Sequence, residues 1–124
     1  MNASEFMKFK NWAVAGDVLN NQKYAYKIKM SLENAGFNVS GMKPGVSAKG
    51  VYQSLKEVPH AIDVLDLCIN PRDGIKVVKE AKELGIDKIL IQPGAESTEI
   101  LEFCRENGIN AIEGCALVEL RKIF

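Results

Sequence analysis

Histidine, cysteine, proline and net charge are all scarce in this chain, and each scarcity closes off a class of function. There is one His, at position 60, and there are three Cys, at 68, 104 and 115. Widely spaced cysteines, odd in number and in apolar surroundings, make neither a disulfide framework nor a CxxC metal knuckle. With a single imidazole, a zinc or iron site is not expected. No apolar stretch approaches the ~18 residues of a membrane-spanning helix. Residues 1–12 lack the apolar core and small-residue cleavage site of a secretory signal, so a cytoplasmic protein is expected. Sixteen basic residues balance sixteen acidic ones, and a formal charge of zero argues against bulk attraction to nucleic acid or an anionic membrane. Four prolines and no low-complexity tract speak against disorder.

What is present suits one folded unit. At 124 residues, 47% hydrophobic and 26% charged, the chain has the proportions of a single ordered domain over 1–124, without room for the two-domain design of most dehydrogenases, ligases or kinases. Its neutrality is uneven. Residues 1–62 hold eight Lys against four acids, a surplus of +4, and residues 63–124 hold eight basic against twelve acidic residues, or −4. A basic N-terminal half can serve one small polyanionic ligand.

Short apolar runs alternate with segments of helical period, the signature of a parallel sheet covered by helices. The spacing predicts a leading helix over 4–10 and a buried strand at Trp12–Ala15 that runs into Gly16. Tyr24, Ile28, Leu32 and Ala35 recur at helical spacing over 23–35, with Gly36 as a left-handed cap. A strand follows at 37–41, then a break at Met42–Gly45, a minor edge strand at 50–52 and a turn of helix at 54–59. Residues 63–69 read as the next central strand, with Val64, Leu65, Leu67, Cys68 and Ile69 apolar on both faces, as a doubly covered strand requires. Pro71 opens a helix that runs to Leu84, and strand 88–92, helix 96–107, strand 110–113 and a tail at 116–124 complete the chain. Right-handed crossovers then give an α/β, three-layer Rossmann-like domain with a five-stranded, mainly parallel sheet of order 3-2-1-4-5.

In such sheets ligands bind outside the carboxyl ends of the strands. The four exits read Gly16-Asp17-Val18, Met42-Lys43-Pro44, Asn70-Pro71-Arg72 and Gln92-Pro93-Gly94. Gly16 precedes a helix whose free N–H groups favour an anion, although a tight turn without a ligand explains it equally well. The dinucleotide fingerprint GxGxxG is absent, since Val18 and Asn21 stand where its later glycines would fall. At the second exit a dinucleotide enzyme places an acid for the ribose hydroxyls; here Lys43 suits a ribose bearing a phosphate, as in NADP or coenzyme A. A solvated surface lysine is the plainer alternative. Pro71 is an ordinary first-turn proline, and Gln92 either faces the crevice or caps the following helix.

Taken together, the sequences Ala13-Val14-Ala15-Gly16, Ala35-Gly36-Phe37-Asn38-Val39, Lys43-Pro44, Tyr52-Gln53-Ser54-Leu55 through Pro59, Lys79 through Gly85 and Ile91-Gln92-Pro93-Gly94 resemble the small stand-alone CoA-binding proteins. These are similar to the CoA-binding domain of the succinyl-CoA synthetase alpha subunit. The resemblance runs from about Trp12 to Leu117. It implies that Gly16, Asp17 and Val18 line the pyrophosphate, and that Met42, Lys43 and Pro44 contact the adenosine and its 3′-phosphate. It further implies that Ile69, Asn70 and Pro71 line the nucleotide or pantetheine, and that Gln92, Pro93 and Gly94 close the far side. The chain departs from the family at two points. Asp17 and Val18 replace a small residue and a Ser, which loses a hydroxyl donor and adds a carboxylate; Asp17 turned away as a helix N-cap, with Asn20, Asn21 or Lys23 as donors, would accommodate this. Lys43 replaces an Asn, which favours a phosphate.

The synthetases that share this domain need a phosphorylated His and an ATP module, and neither is present. His60 reads as a surface residue, and Asp63 and Asp66 as strand-flanking positions, not a carboxylate dyad. The third exit has Asn70 where a phosphoacceptor receiver needs Asp, and no cobalamin-ligating His follows an early strand. The expected function is therefore binding of coenzyme A or an acyl-CoA without catalysis, as a sensor or carrier. An NADP or other phosphorylated-nucleotide module and a protein-interaction scaffold are the alternatives. Cys68 or Cys115 is a candidate for a mixed disulfide with the CoA thiol, against the plainer reading of buried inert cysteines. The apolar end of the tail, Ile123-Phe124, either docks on the domain or supports a homodimer.

Overall fold

The computed structural model describes all residues, 1–124. Six strands form one wholly parallel sheet: β1 (Asn11–Gly16), β2 (Asn38–Met42), β3 (Val51–Tyr52), β4 (Val64–Cys68), β5 (Lys88–Ile91) and β6 (Asn110–Glu113), in the order β3-β2-β1-β4-β5-β6. The sequence predicts five. The difference is one edge strand, because Val51–Tyr52 pairs in parallel with Gly41 and Met42 at one margin while Asn110–Glu113 pairs with β5 at the other.

Five helices cover the sheet: α1 (Ala3–Phe6), α2 (Tyr24–Asn34), α3 (Pro71–Glu83), α4 (Thr98–Glu106) and α5 (Ala116–Ile123). Alternation along the strands sends side chains to two cores. Ala13, Ala15, Met42, Leu65, Leu67, Ile89 and Ile91 meet α3 and α4 on one face. Trp12, Val14, Val64 and Leu90 meet α1, α2 and α5 on the other. The three-layer Rossmann-like arrangement follows, and the N-terminal end of α2 is brought to the carboxyl edge of the sheet. Gly36, at φ +91°, follows the C-cap of α2, and nothing lies within 4 Å of where its Cβ would be, so its role is conformational.

The tail is helical. Ala116, Glu119 and Leu120 form the buried stripe of α5, while Ile123 and Phe124 remain exposed. The acid in that stripe is tolerated because Ser4 donates its hydroxyl to Glu119 Oε1 at 2.7 Å and Lys122 pairs with Oε2 at 3.2 Å. The hydrogen bond from Ser4, aided by Lys122, holds this carboxyl below the usual range against the opposing effect of burial. His60 is not a free surface residue. Its ring lies 2.8 Å through Nε2 from Ser40 Oγ and 2.7 Å through Nδ1 from the Ala61 carbonyl. Because that carbonyl only accepts, Nδ1 donates to it, while Nε2 and the Ser40 hydroxyl share the second hydrogen bond. The pair ties the loop before β4 to β2.

Candidate functional site

The strand exits surround a cavity of about 410 Å³ at the carboxyl edge of β1, β2 and β4. It is lined by Asp17, Lys23, Lys43, Pro44, Ile69 and Asn70, six of the sequence candidates, together with Tyr24, Ala25, Cys68 and Asp73. A second hollow of about 210 Å³ shares Cys68, Ile69 and Asn70 and extends to Pro93, Gly94 and Ala95. The first, second and third exits thus converge, and the fourth lies across Ile69 and Asn70 from them. The lining of the first cavity is chemically mixed, with two lysines, two aspartates and an exposed tyrosine.

The turn after β1 is fixed by two glycines. A Cβ on Gly16, whose φ is +153°, would lie 2.2 Å from the Cys68 carbonyl oxygen and 3.0 Å from the Ala25 Cβ, so no other residue fits between β4 and α2 here. A Cβ on Gly41 would lie 2.7 Å from a Val18 methyl. Val18 therefore fills the space above β2, is 3% exposed, and gives its N–H to the Gly16 carbonyl at 2.9 Å. Its side chain anchors the loop and does not face the cavity. Asp17, held between these two residues, reaches across the cavity to Lys43, with Oδ1 3.1 Å from Nζ. It is not a helix N-cap, because α2 begins seven positions later, with Lys23 at its N-cap and no side chain capping the first turn. Tyr24 and Ala25 of that uncapped first turn line the cavity, a setting that favours an anion. Asn20 folds its own loop by accepting from Gln22 N–H at 3.0 Å.

Asn70 caps α3, accepting from the Asp73 N–H at 3.0 Å, and its amide returns a hydrogen bond to Asp73 Oδ2 at 2.9 Å. This reciprocal clamp uses up Asp73 locally. Pro71 occupies the first turn of α3 and stays behind the cavity wall. Met42 belongs to the core, and the backbone of Lys43 is fixed by donation to the Tyr52 carbonyl at 2.9 Å. Gly94, at φ +93°, gives its N–H to Glu96 Oε2 at 2.8 Å, and α4 is capped by Ser97.

Gln92 neither faces the crevice nor caps α4. It is 4% exposed and donates its side-chain amide to Asp66 Oδ1. Asp66 in turn is not a strand-flanking residue. It lies mid-strand in β4, between Val14 and Leu90 of the neighbouring strands, with no exposure, and its Oδ2 has no hydrogen-bond partner. Burial pushes its carboxyl up to about 7 against the smaller opposing effect of Gln92. Cys68, two residues on, lines both hollows. Burial, then the charges of Asp66 and Cys115, push its thiol up to about 12, so almost none is thiolate near neutral pH. Tyr24 and Asp73 also line the cavity although both belong to the helices that follow the exits; their closeness in sequence to Lys23 and Asn70 is the signal that points to them.

Comparison with known proteins gives a consistent result. Residues 10–121 match the sequence model of a family described as a CoA binding domain. A conserved hypothetical protein from Pyrococcus furiosus is 36% identical, with a TM-score of 0.81, over 90% of this chain and 99% of that one. A hypothetical protein from Pyrococcus horikoshii OT3 shares the fold at 21% identity and a TM-score of 0.85, over 94% and 85% of the two chains. A Thermus thermophilus protein does so at 20% identity and a TM-score of 0.83, over 100% of both.

Proposed function

The chain belongs to the CoA binding domain family, and from that premise we propose that it binds coenzyme A or an acyl-CoA at the strand exits, without catalysis, as a sensor or carrier. The observation that carries the reading is the convergence of Lys23, Lys43 and the uncapped start of α2 on one cavity of about 410 Å³. Phosphates are the chemistry that such an arrangement holds: two ammonium groups and free helix N–H groups at the edge of a parallel sheet. The smaller hollow beside Pro93 and Gly94 shares Ile69 with the first and has a lining without charged side chains, which suits a pantetheine arm.

Two side chains support the non-catalytic part of this reading. His60 is engaged with Ser40 and does not line the cavity, and the raised Cys68 thiol is a slow nucleophile. A mixed disulfide between Cys68 and the CoA thiol is disfavoured for the same reason. Lys43 supports a second reading, binding of NADP, because it serves either phosphorylated ribose. Titration calorimetry with CoA, dephospho-CoA and NADP separates the two: CoA binding at micromolar to low millimolar concentration supports the first, and NADP in preference to CoA supports the second. Absence of CoA binding at millimolar concentration overturns the proposal.

A further inference from the structure

Of the four charged side chains that line the cavity, one pair is joined across it. Asp73 is clamped by Asn70, and Lys23 makes no ion pair, whereas Asp17 and Lys43 meet at 3.1 Å with each side chain about one-third exposed. The two residues come from different strand exits. Neither backbone can shift to relax the contact, because Gly16 and Val18 wedge residue 17 in place and the Lys43 N–H is bonded to Tyr52. Only side-chain rotation can separate them.

From this geometry we infer that Asp17 is a built-in competitor for the ligand's phosphorylated ribose, holding Lys43 until a phosphate displaces it. The inference rests on the proposed binding of a CoA-like nucleotide. A phosphate monoester carries −1.5 to −2 charges and three acceptor oxygens near neutral pH, so it outbids a carboxylate for the lysine. A ribose hydroxyl does not, and it leaves the ion pair closed. Asp17 therefore takes back part of what Lys43 contributes to a 3′-phosphate. It narrows the preference for CoA over dephospho-CoA and offers the lysine an alternative partner when the ligand departs. Weakened, reversible binding is the consequence, as a carrier or sensor working across a range of ligand concentrations needs.

The test measures CoA and dephospho-CoA binding by calorimetry to the native chain, Asp17→Asn, Asp17→Ser, Lys43→Met and the double variant Asp17→Asn/Lys43→Met. An exposed lysine–carboxylate pair is worth up to about fivefold in an equilibrium constant. Both Asp17 variants should tighten CoA and widen its preference over dephospho-CoA by up to about fivefold. With Lys43→Met that preference should fall close to one, and adding Asp17→Asn should no longer change it. An unchanged preference in both Asp17 variants, with native CoA binding intact, overturns the competitor and leaves the CoA reading standing. Binding by Asp17→Asn but not by the native chain overturns both for the native protein, since Asp17 is then a block that no phosphate displaces. Failure of every chain to bind either ligand at millimolar concentration overturns both.

Discussion

Replacing Asp66 by Asn removes a buried charge while keeping the side chain's shape and its acceptor for Gln92. The carboxyl's position in the folded protein, about 7 against the usual 3.8, makes the effect depend on pH. Below about pH 3 the group is mostly protonated whether the chain is folded or not. There acid and amide each bury one unpartnered polar group, and the variant should differ little from the native protein. Between pH 4 and 7 the unfolded chain releases the proton and the folded chain retains it. Native stability should fall relative to the variant by ~1.4 kcal/mol for each pH unit as pH rises. Above pH 7 the folded chain also ionises and the difference levels off, at a limit of ~4 kcal/mol in favour of Asp66→Asn. Urea unfolding of both proteins at pH 4, 5, 6, 7 and 8, with equal denaturant slopes as the check on two-state behaviour, measures the difference directly. A difference that does not change with pH, or one that favours the native protein at pH 8, would refute the argument from burial.

Three further expectations follow from particular contacts. Gly16→Ala should destabilise the fold by about 3 kcal/mol or more, since its Cβ would lie 2.2 Å from the Cys68 carbonyl oxygen, and thermal unfolding would show this. Glu80→Ala should cost ~1–3 kcal/mol in chemical unfolding, because the Glu80 carboxylate accepts the N–H groups of Leu55 and Lys56, at 2.9 and 3.3 Å. A loss below ~0.3 kcal/mol would mean that water replaces it at both. Cys68 should resist alkylation by iodoacetamide at pH 7 and react progressively faster toward pH 10, with mass mapping of the labelled site as the measurement.

The strand–helix alternation was legible because the central strands are short and mostly apolar and because Gly36, Gly85 and Gly108 punctuate the helix ends. The fold class and the strand order followed from those. The α5 helix was not legible, since its buried stripe contains Glu119, and the partners that make an acid acceptable there, Ser4 and Lys122, include one at the other end of the chain. Asp66 misled for a related reason. An acid inside an apolar run reads as a strand margin, and only the fold shows it in the middle of β4 with Gln92 beneath the site. The exits themselves pointed to the right edge of the sheet. What single residues could not reveal was whether each side chain faced the cavity or the core: Lys43 faces the former, Val18 and Met42 the latter.

The turn after β1 separates two demands that usually conflict. Residues 16 and 18 are closed to change by their neighbours, one by a carbonyl oxygen and the other by the vacant side of Gly41, whereas the half-buried side chain of residue 17 enters the cavity between them. Substitution at that one position can alter charge, hydrogen-bonding capacity and size at the cavity without disturbing the strand pairing below. The chemistry of the cavity can therefore drift, or be engineered, through a single side chain mounted on an otherwise immovable turn.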